Sequence, residues 1–169
     1  MSNKIIIGTA NFGSFYGIRK KKIPKSKIIT LCKFARKKNI KYLDTSTEYF
    51  KSNKIIKDLN KKLLINTKIL PNKNWVKPNF CLKQLIKIKK DLGNKKLDTV
   101  YLHDEKIIFK KYFIQIYYNL LHLKQKKHFK KLGISIYDFK TINFFLKKFK
   151  FDAVQCPFNI FDQRLISQN

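Results

Sequence analysis

The sequence has few of the residues that mark several classes of protein. Only three of its 39 basic residues are arginine, although phosphate-binding and base-reading proteins favour arginine for its planar, bidentate guanidinium group. Acidic residues number only ten, so the formal net charge is +29, a value that would usually suggest a nucleic-acid or membrane partner. Lysine is, however, abundant together with Ile, Asn, Phe and Tyr, which share A/T-rich codons. We therefore interpret the charge as compositional and expect the lysines to be spread over solvated helix faces, with some non-specific polyanion binding.

Cysteine is also scarce, and its spacing argues against disulfide and metal chemistry. The three cysteines, Cys32, Cys81 and Cys156, are far apart and form no CxxC pair. They are predicted to be small buried residues in a reducing compartment. The apolar stretch near the N-terminus, Ile5–Ile7, is too short for a signal peptide, and no run approaches the ~18 residues of a membrane span. We expect a cytoplasmic protein without a membrane or a metal partner.

Short apolar segments rich in β-forming residues alternate with longer segments of helical period. The predicted strands are Lys4–Thr9, Lys41–Thr45, Leu63–Lys68, Asp98–His103, Leu132–Ser135 and Ala153–Cys156. Helices are predicted to start near Ser26, Ser52, Asn79, Phe113 and Asp138. This alternation indicates an α/β fold with a parallel sheet. Periodicity leaves an open sheet and a closed barrel as alternatives, but no GxGxxG follows the first strand, which disfavours an open dinucleotide-binding sheet.

Every predicted strand has a polar side chain at or near its C-terminal end. The six residues at or near these ends are Thr9, Asp44, Lys68, His103, Ser135 and Gln155. The C-terminal ends of barrel strands converge on one face, where active sites are built. One polar residue at a strand end is ordinary, because turns need polar residues, but six in succession exceed that need. We expect these side chains to cluster at one end of a six-stranded parallel sheet.

The motifs around these ends resemble those of the aldo/keto reductase family, in its bacterial branch. The matching segments, in order, are Gly8-Thr9-Ala10-x-Phe12-Gly13, Asp44-Thr45-Ser46-Thr47-Glu48-Tyr49, Thr67-Lys68, Tyr101-Leu102-His103, Leu132-Gly133-Ile134-Ser135, Gln155-Cys156-Pro157-Phe158-Asn159 and Asp162-Gln163-Arg164. The ordered set covers essentially the whole chain. The resemblance implies a (β/α)8 TIM barrel and an oxidoreductase that transfers hydride between a nicotinamide cofactor and a small carbonyl substrate, of which a sugar derivative is one option.

The resemblance also implies a role for four residues. Tyr49 would be the general acid that protonates the carbonyl oxygen, although an unperturbed phenol titrates near ~10. Lys68 would stabilise the phenolate, Asp44 would pair with Lys68, and His103 would orient the carbonyl. Taken singly, the lysine could be a solvated surface group, the tyrosine an ordinary aromatic and the histidine a core residue. The spacing of the set favours catalysis.

Cofactor contacts are implied for Gly8, Thr9, Ser135 and Gln155, the last two at the nicotinamide carboxamide. An alternative for Ser135 is that it caps the helix that follows. NADP is the implied cofactor, with NAD as an alternative, because the residues that would read the 2′-phosphate belong to later units.

The sequence departs from the family pattern at three positions. Phe50 replaces the glycine that usually follows the catalytic tyrosine, Asn53 replaces a common glutamate, and Ile136 replaces an asparagine. The chain also supplies six of the eight βα units of a barrel, within one incomplete domain over residues 1–169. We expect the 169-residue chain alone to have little reductase activity and to bind the cofactor weakly.

Two interpretations from other classes stay open. The chain could be a catalytically inactive remnant that survives as a binding module. It could also be a lysine-rich polyanion-binding protein, for which Lys110–Lys131 is the best basic amphipathic segment.

Overall fold

A computed structural model describes residues 5–16, 22–60, 62–137, 143 and 146–163 of the chain. The strands are β1 (Ile6–Gly8), β2 (Tyr42–Ser46), β3 (Leu64–Ile69), β4 (Lys96–Leu102), β5 (Lys131–Ser135) and β6 (Ala153–Gln155). The helices are α1 (Lys25–Lys37), α2 (Phe50–Asp58), α3 (Pro78–Asp91) and α4 (Phe113–Gln125), and two 3₁₀ helices span Lys73–Val76 and Glu105–Phe109.

The six strands lie in one sheet in the order β1 to β6. The pairs β1–β2, β2–β3, β4–β5 and β5–β6 are parallel. Parallel strands joined by helices are the repeating unit of the (β/α)8 barrel, so the predicted fold class is confirmed, with six of its strands present. The strand bounds agree with the prediction to within about two residues, as is usual for element ends.

Three helices begin earlier than the sequence predicted. The N-cap of α1 is Pro24, with φ −62° and ψ 146°, and not Ser26. Proline suits a helix start because its φ is already fixed and its missing N–H is not needed there. Similarly, α2 begins at Phe50 and not at Ser52, and α3 at Pro78 and not at Asn79. The cap predicted at Asp138 lies outside the described residues.

The residues divide into two compact units. One comprises Met1–Lys68 with Lys83–Asp98, and the other comprises Ile69–Leu82 with Thr99–Asn169. The first unit buries apolar residues of α1, α2, α3, β2 and β3; the most completely buried are Ile28, Leu43, Ile56, Ile65 and Leu85. In the second unit, α4 has an apolar stripe at helical spacing, and its residues Phe113, Ile116, Tyr117 and Leu120 are all buried.

Lys95 is an exception to the expectation that lysines lie on solvated faces. Its side chain is 1% exposed, and its Nζ donates to the carbonyl oxygens of Lys57 at 3.1 Å and Leu92 at 3.2 Å. These carbonyls lie at the C-terminal ends of α2 and α3, where the helix dipole favours a cation and the last carbonyls need donors. Lys95 is therefore a structural residue that joins two helix ends.

Gly93, next to this junction, should not tolerate a side chain. Its φ is +70°, and a Cβ atom would lie 2.6 Å from the carbonyl oxygen of Lys57. Gly93→Ala is expected to lower the free energy of unfolding by about 2 kcal/mol, because left-handed backbone costs roughly 1–2 kcal/mol for other residues and the carbonyl must also move. Urea unfolding followed by circular dichroism would measure the change.

Gly8→Ala is the matched control, because a Cβ atom at Gly8 would have no neighbour within 4 Å. It should change the free energy of unfolding by less than about 0.5 kcal/mol. Equal losses in the two variants would show that the close approach of Lys57 is not what requires glycine at position 93.

Candidate active site

Asp44 and Lys68 form an ion pair on neighbouring strands. In the parallel register of β2 and β3, Asp44 is opposite Asn66 and Ser46 is opposite Lys68, so Asp44 and Lys68 lie on the same face of the sheet, two residues apart. Lys68 Nζ donates to Asp44 Oδ2. The side chain of Lys68 is 10% exposed and that of Asp44 is 19% exposed. The structure therefore brings together two of the four residues predicted to be catalytic.

Tyr49 lies where β2 turns into α2, as the N-cap of that helix, with φ −88° and ψ 59°. Its backbone N–H donates to the carbonyl oxygen of Ser46 at 3.0 Å, and its carbonyl accepts from the N–H of Asn53 at 2.9 Å. Its half-buried ring is 6.2 Å from that of Tyr16. The hydrogen bonds on both sides fix the backbone of Tyr49 shortly after Asp44.

Asn53 holds this turn from the first turns of α2. Its Nδ2 donates to the Ser46 carbonyl oxygen at 2.9 Å, the same oxygen that accepts from Tyr49, and its Oδ1 accepts from Thr45 Oγ1 at 2.8 Å. A glutamate, which is common at this position in the family, has no N–H to donate. The departure at Asn53 thus fits a turn that needs both a donor and an acceptor.

Ser52 ties α2 to the end of β1. Its hydroxyl is fully buried and lies within donating distance of two carbonyl oxygens, those of Thr9 at 2.6 Å and Phe12 at 2.9 Å. One hydroxyl proton must serve both. Sequence reasoning placed Ser52 at a helix start and missed this role. The available signal was a serine four residues before Ile56, on the apolar face of the helix.

At the end of β1, the two residues predicted to contact a cofactor have different surroundings. Thr9 is fully buried, and both its N–H and its Oγ1 donate to the carbonyl oxygen of Asp44, at 3.0 Å and 2.9 Å. Gly8 is opposite Asp44 in the register of β1 and β2. It borders open space, because a Cβ atom at this position would have no neighbour within 4 Å. The Thr9 hydroxyl is therefore committed to the protein backbone, whereas Gly8 is accessible.

The other three predicted site residues lie in the second unit, each at the C-terminal end of a strand. His103 follows β4 and donates its backbone N–H to the carbonyl oxygen of Ile69 at 2.9 Å. Ser135 and Gln155 are the last residues of β5 and β6 and are opposite each other in register. Ser135 Oγ donates to Gln155 Oε1 at 3.4 Å. The start of the helix that Ser135 was alternatively predicted to cap was predicted at Asp138, which lies outside the described residues.

The three cysteines are not paired with one another. Cys32 and Cys81 are buried and Cys156 is half-buried, and all three are free thiols. Within the described ranges, no group of three or more His, Cys, Asp or Glu residues could hold a metal ion. In the same ranges, the helices are too short or too polar to span a bilayer.

Comparison with solved structures shows the fold. PA4992 of Pseudomonas aeruginosa, assigned to the aldo-keto reductases, superimposes with a TM-score of 0.73 at 17% identity, over 96% of this chain and 67% of that one. The aldo-keto reductase AKR11C1 of Bacillus halodurans, in its holo form, gives 0.75 at 16% identity, over 97% and 56%. The aldo-keto reductase AKR2E5, solved in complex with NADPH, gives 0.63 at 15% identity, over 91% and 51%. The chain thus spans between half and two-thirds of the length of these structures.

Comparison with protein families shows the family to which the chain belongs. The search among curated proteins found no match. The sequence model of the aldo/keto reductase family matches residues 4–169, nearly the entire chain. The parallel strands, the Asp44–Lys68 pair and this match agree with one another, and the chain belongs to the aldo/keto reductase family.

Proposed function

We propose that this chain carries the proton-transfer groups of an NAD(P)H-dependent carbonyl or alcohol oxidoreductase. The observation that carries the proposal is the Asp44–Lys68 ion pair. A lysine at 10% side-chain exposure costs desolvation energy, which proteins rarely accept without a function or a structural need. The pair lies at the C-terminal ends of parallel strands, the end at which barrel enzymes build their active sites.

Tyr49 is the proposed general acid. As a carbonyl is reduced, its oxygen gains negative charge, and the Tyr49 hydroxyl delivers a proton to it. The Lys68 ammonium favours the phenolate that this transfer leaves behind, because an opposite charge stabilises the ionised form. The Asp44 carboxylate compensates the desolvated ammonium. His103, in the second unit, is assigned the role of orienting the carbonyl on the basis of the family resemblance.

The proposed cofactor is NADP, with NAD as the alternative, and when bound it supplies or accepts the hydride. Gly8 fits this role because its open surroundings would let a flat ring approach the backbone closely. Ser135 and Gln155 offer a neighbouring hydroxyl and amide, which suit a carboxamide that both donates and accepts. The buried Thr9 hydroxyl would support the strand end and not contact the cofactor. The proposed substrate is a small carbonyl compound, with sugar-derived aldehydes as the first to test.

Tyr49→Phe is expected to reduce NADPH-dependent aldehyde reduction by at least 100-fold, because loss of a positioned general acid typically costs about 10²–10⁴ in rate. Tyr118→Phe is the matched control, since Tyr118 is 59% exposed on α4, and it should leave the rate unchanged. The measurement is NADPH oxidation at 340 nm with a panel of aldehydes.

The assay should be run on the 169-residue chain and on the same chain extended by the last two βα units of a relative. We expect weak turnover from the first and robust turnover from the second. Equal rates for Tyr49→Phe and Tyr118→Phe would contradict the role of Tyr49. No turnover in either form would favour the inactive-remnant interpretation.

A further inference from the structure

Four lysines surround one groove in the first unit. The groove has a volume of about 520 Å³ and is lined by Gly13, Lys22, Ile23, Pro24, Lys25, Lys51, Lys54 and Ile55. Its walls are the segment that leads into α1 and the first turns of α2. A volume of this size lies within the usual range of small-molecule sites, about 300–1,000 Å³.

The walls of the groove are held in place by backbone contacts. Ile23 forms an isolated parallel bridge with Phe12, and its N–H donates to the carbonyl oxygen of Asn11 at 3.4 Å. On the other side, Gly13 has a φ of +72° and approaches α2 so closely that a Cβ atom would lie 2.8 Å from Ile55 Cδ1. The ammonium groups therefore rise from a fixed base and not from a free loop.

The charge of the groove is strongly one-sided. No carboxylate is among its eight lining residues, of which four are lysine. Lys25 pairs with Asp58 at 2.6 Å, with both side chains more than half exposed, so that ion pair is weak.

The starts of two helices add to this positive charge. Lys25 is the first residue of α1, and Lys51 is the second residue of α2. Neither helix has an acidic residue in its first turn or a side-chain hydrogen bond at its N-cap. Helix N-termini carry a partial positive charge that an acidic side chain would normally complement. Here lysines stand in the first turns instead, so both helix starts add positive charge to the groove.

We propose that this groove binds the phosphate group of a small phosphorylated molecule. Lysine ammonium groups bind phosphate as point charges, and the groove has lysines on both of its walls. Ile23, Pro24 and Ile55 give the same groove an apolar part, which suits an organic phosphate ester better than free phosphate. The groove is built from different residues than the proposed catalytic set, so the proposal does not depend on hydride transfer.

The test compares two double variants that remove the same charge. Lys51→Gln/Lys54→Gln alters the groove, and Lys83→Gln/Lys87→Gln alters exposed lysines on α3. Isothermal titration calorimetry at constant ionic strength would use phenyl phosphate, inorganic phosphate and pyrophosphate as probes. We expect saturable binding of phenyl phosphate that weakens at least tenfold in the groove variant and less than twofold in the control. Circular dichroism would check that both variants are folded, and Lys22→Gln provides an independent groove variant.

Three results would overturn the proposal. Equal weakening in the groove and control variants would mean that the affinity comes from diffuse net charge. Absence of saturable binding at physiological salt would also mean that the affinity comes from diffuse net charge, because screening removes non-specific contacts. Groove-dependent binding of a short DNA duplex without binding of the small phosphates would assign the groove to nucleic acid.

Discussion

Asp44→Leu is expected to lower the free energy of unfolding by about 3 kcal/mol, because it leaves the Lys68 ammonium desolvated without its carboxylate. Removing one partner of a buried ion pair typically costs about 3–5 kcal/mol. We expect the lower end of this range, since the two side chains of this pair are 10% and 19% exposed and water can reach part of the lysine. Urea unfolding at neutral pH would measure the loss.

The double variant Asp44→Leu/Lys68→Met separates the cost of the unpaired charge from the value of the pair. Apolar residues of similar volume often replace a buried ion pair with little loss of stability. The double variant should therefore recover most of the stability that Asp44→Leu loses, although it should remain inactive in aldehyde reduction. If the single and double variants were equally unstable, packing around Asp44 and not the isolated ammonium would be responsible.

Asn119→Leu is expected to cost about 2–4 kcal/mol, because it removes two hydrogen bonds to backbone carbonyl oxygens, one buried and one partly buried. Asn119 is 8% exposed, and its Nδ2 donates to the carbonyl oxygens of Trp75 and Val76, each at 2.9 Å. These residues end the 3₁₀ helix Lys73–Val76, which leads into α3. Without the amide, this connection would lose its link to α4.

Cys81 belongs to the same buried hydrogen-bond network as Asn119. Its Sγ donates to the Trp75 carbonyl oxygen at 2.7 Å, and burial raises the pKa of the thiol to about 11. The thiol is therefore protonated at neutral pH and able to donate. This single weak donor cannot replace the two hydrogen bonds of Asn119.

Two comparisons make the Asn119 prediction specific. Asn119→Asp should cost at least as much as Asn119→Leu, because a carboxylate of the same shape cannot donate. Gln125→Leu, at an exposed site on the same helix, should change the free energy of unfolding by less than about 0.5 kcal/mol. Trp75 fluorescence would follow the local change during urea unfolding. A small loss for both Asn119 variants would show that water satisfies the two carbonyls.

The sequence by itself determined the order and type of the elements. A run of apolar and β-branched residues such as Thr99–Leu102 in β4 favours a buried strand, and the stripe Phe113–Leu120 favours a helix, because both patterns depend on neighbours close in the chain. The polar residue at the end of each strand followed from the same local pattern. The family motifs added the roles proposed for Asp44, Tyr49, Lys68 and His103.

Only the tertiary structure decided which hydrogen-bond partner each buried polar group has. The hydroxyl of Thr9 bonds the backbone of Asp44, Ser52 bonds the carbonyl of Thr9 across 43 positions of the chain, and Lys95 reaches Lys57 across 38. Such bonds join residues whose distance in sequence gives no periodic signal, and they form because a buried donor or acceptor must find a partner wherever the fold provides one. The same reasoning applies to the lysine groove, since composition predicts how many lysines there are and only the fold brings the segment before α1 next to the start of α2.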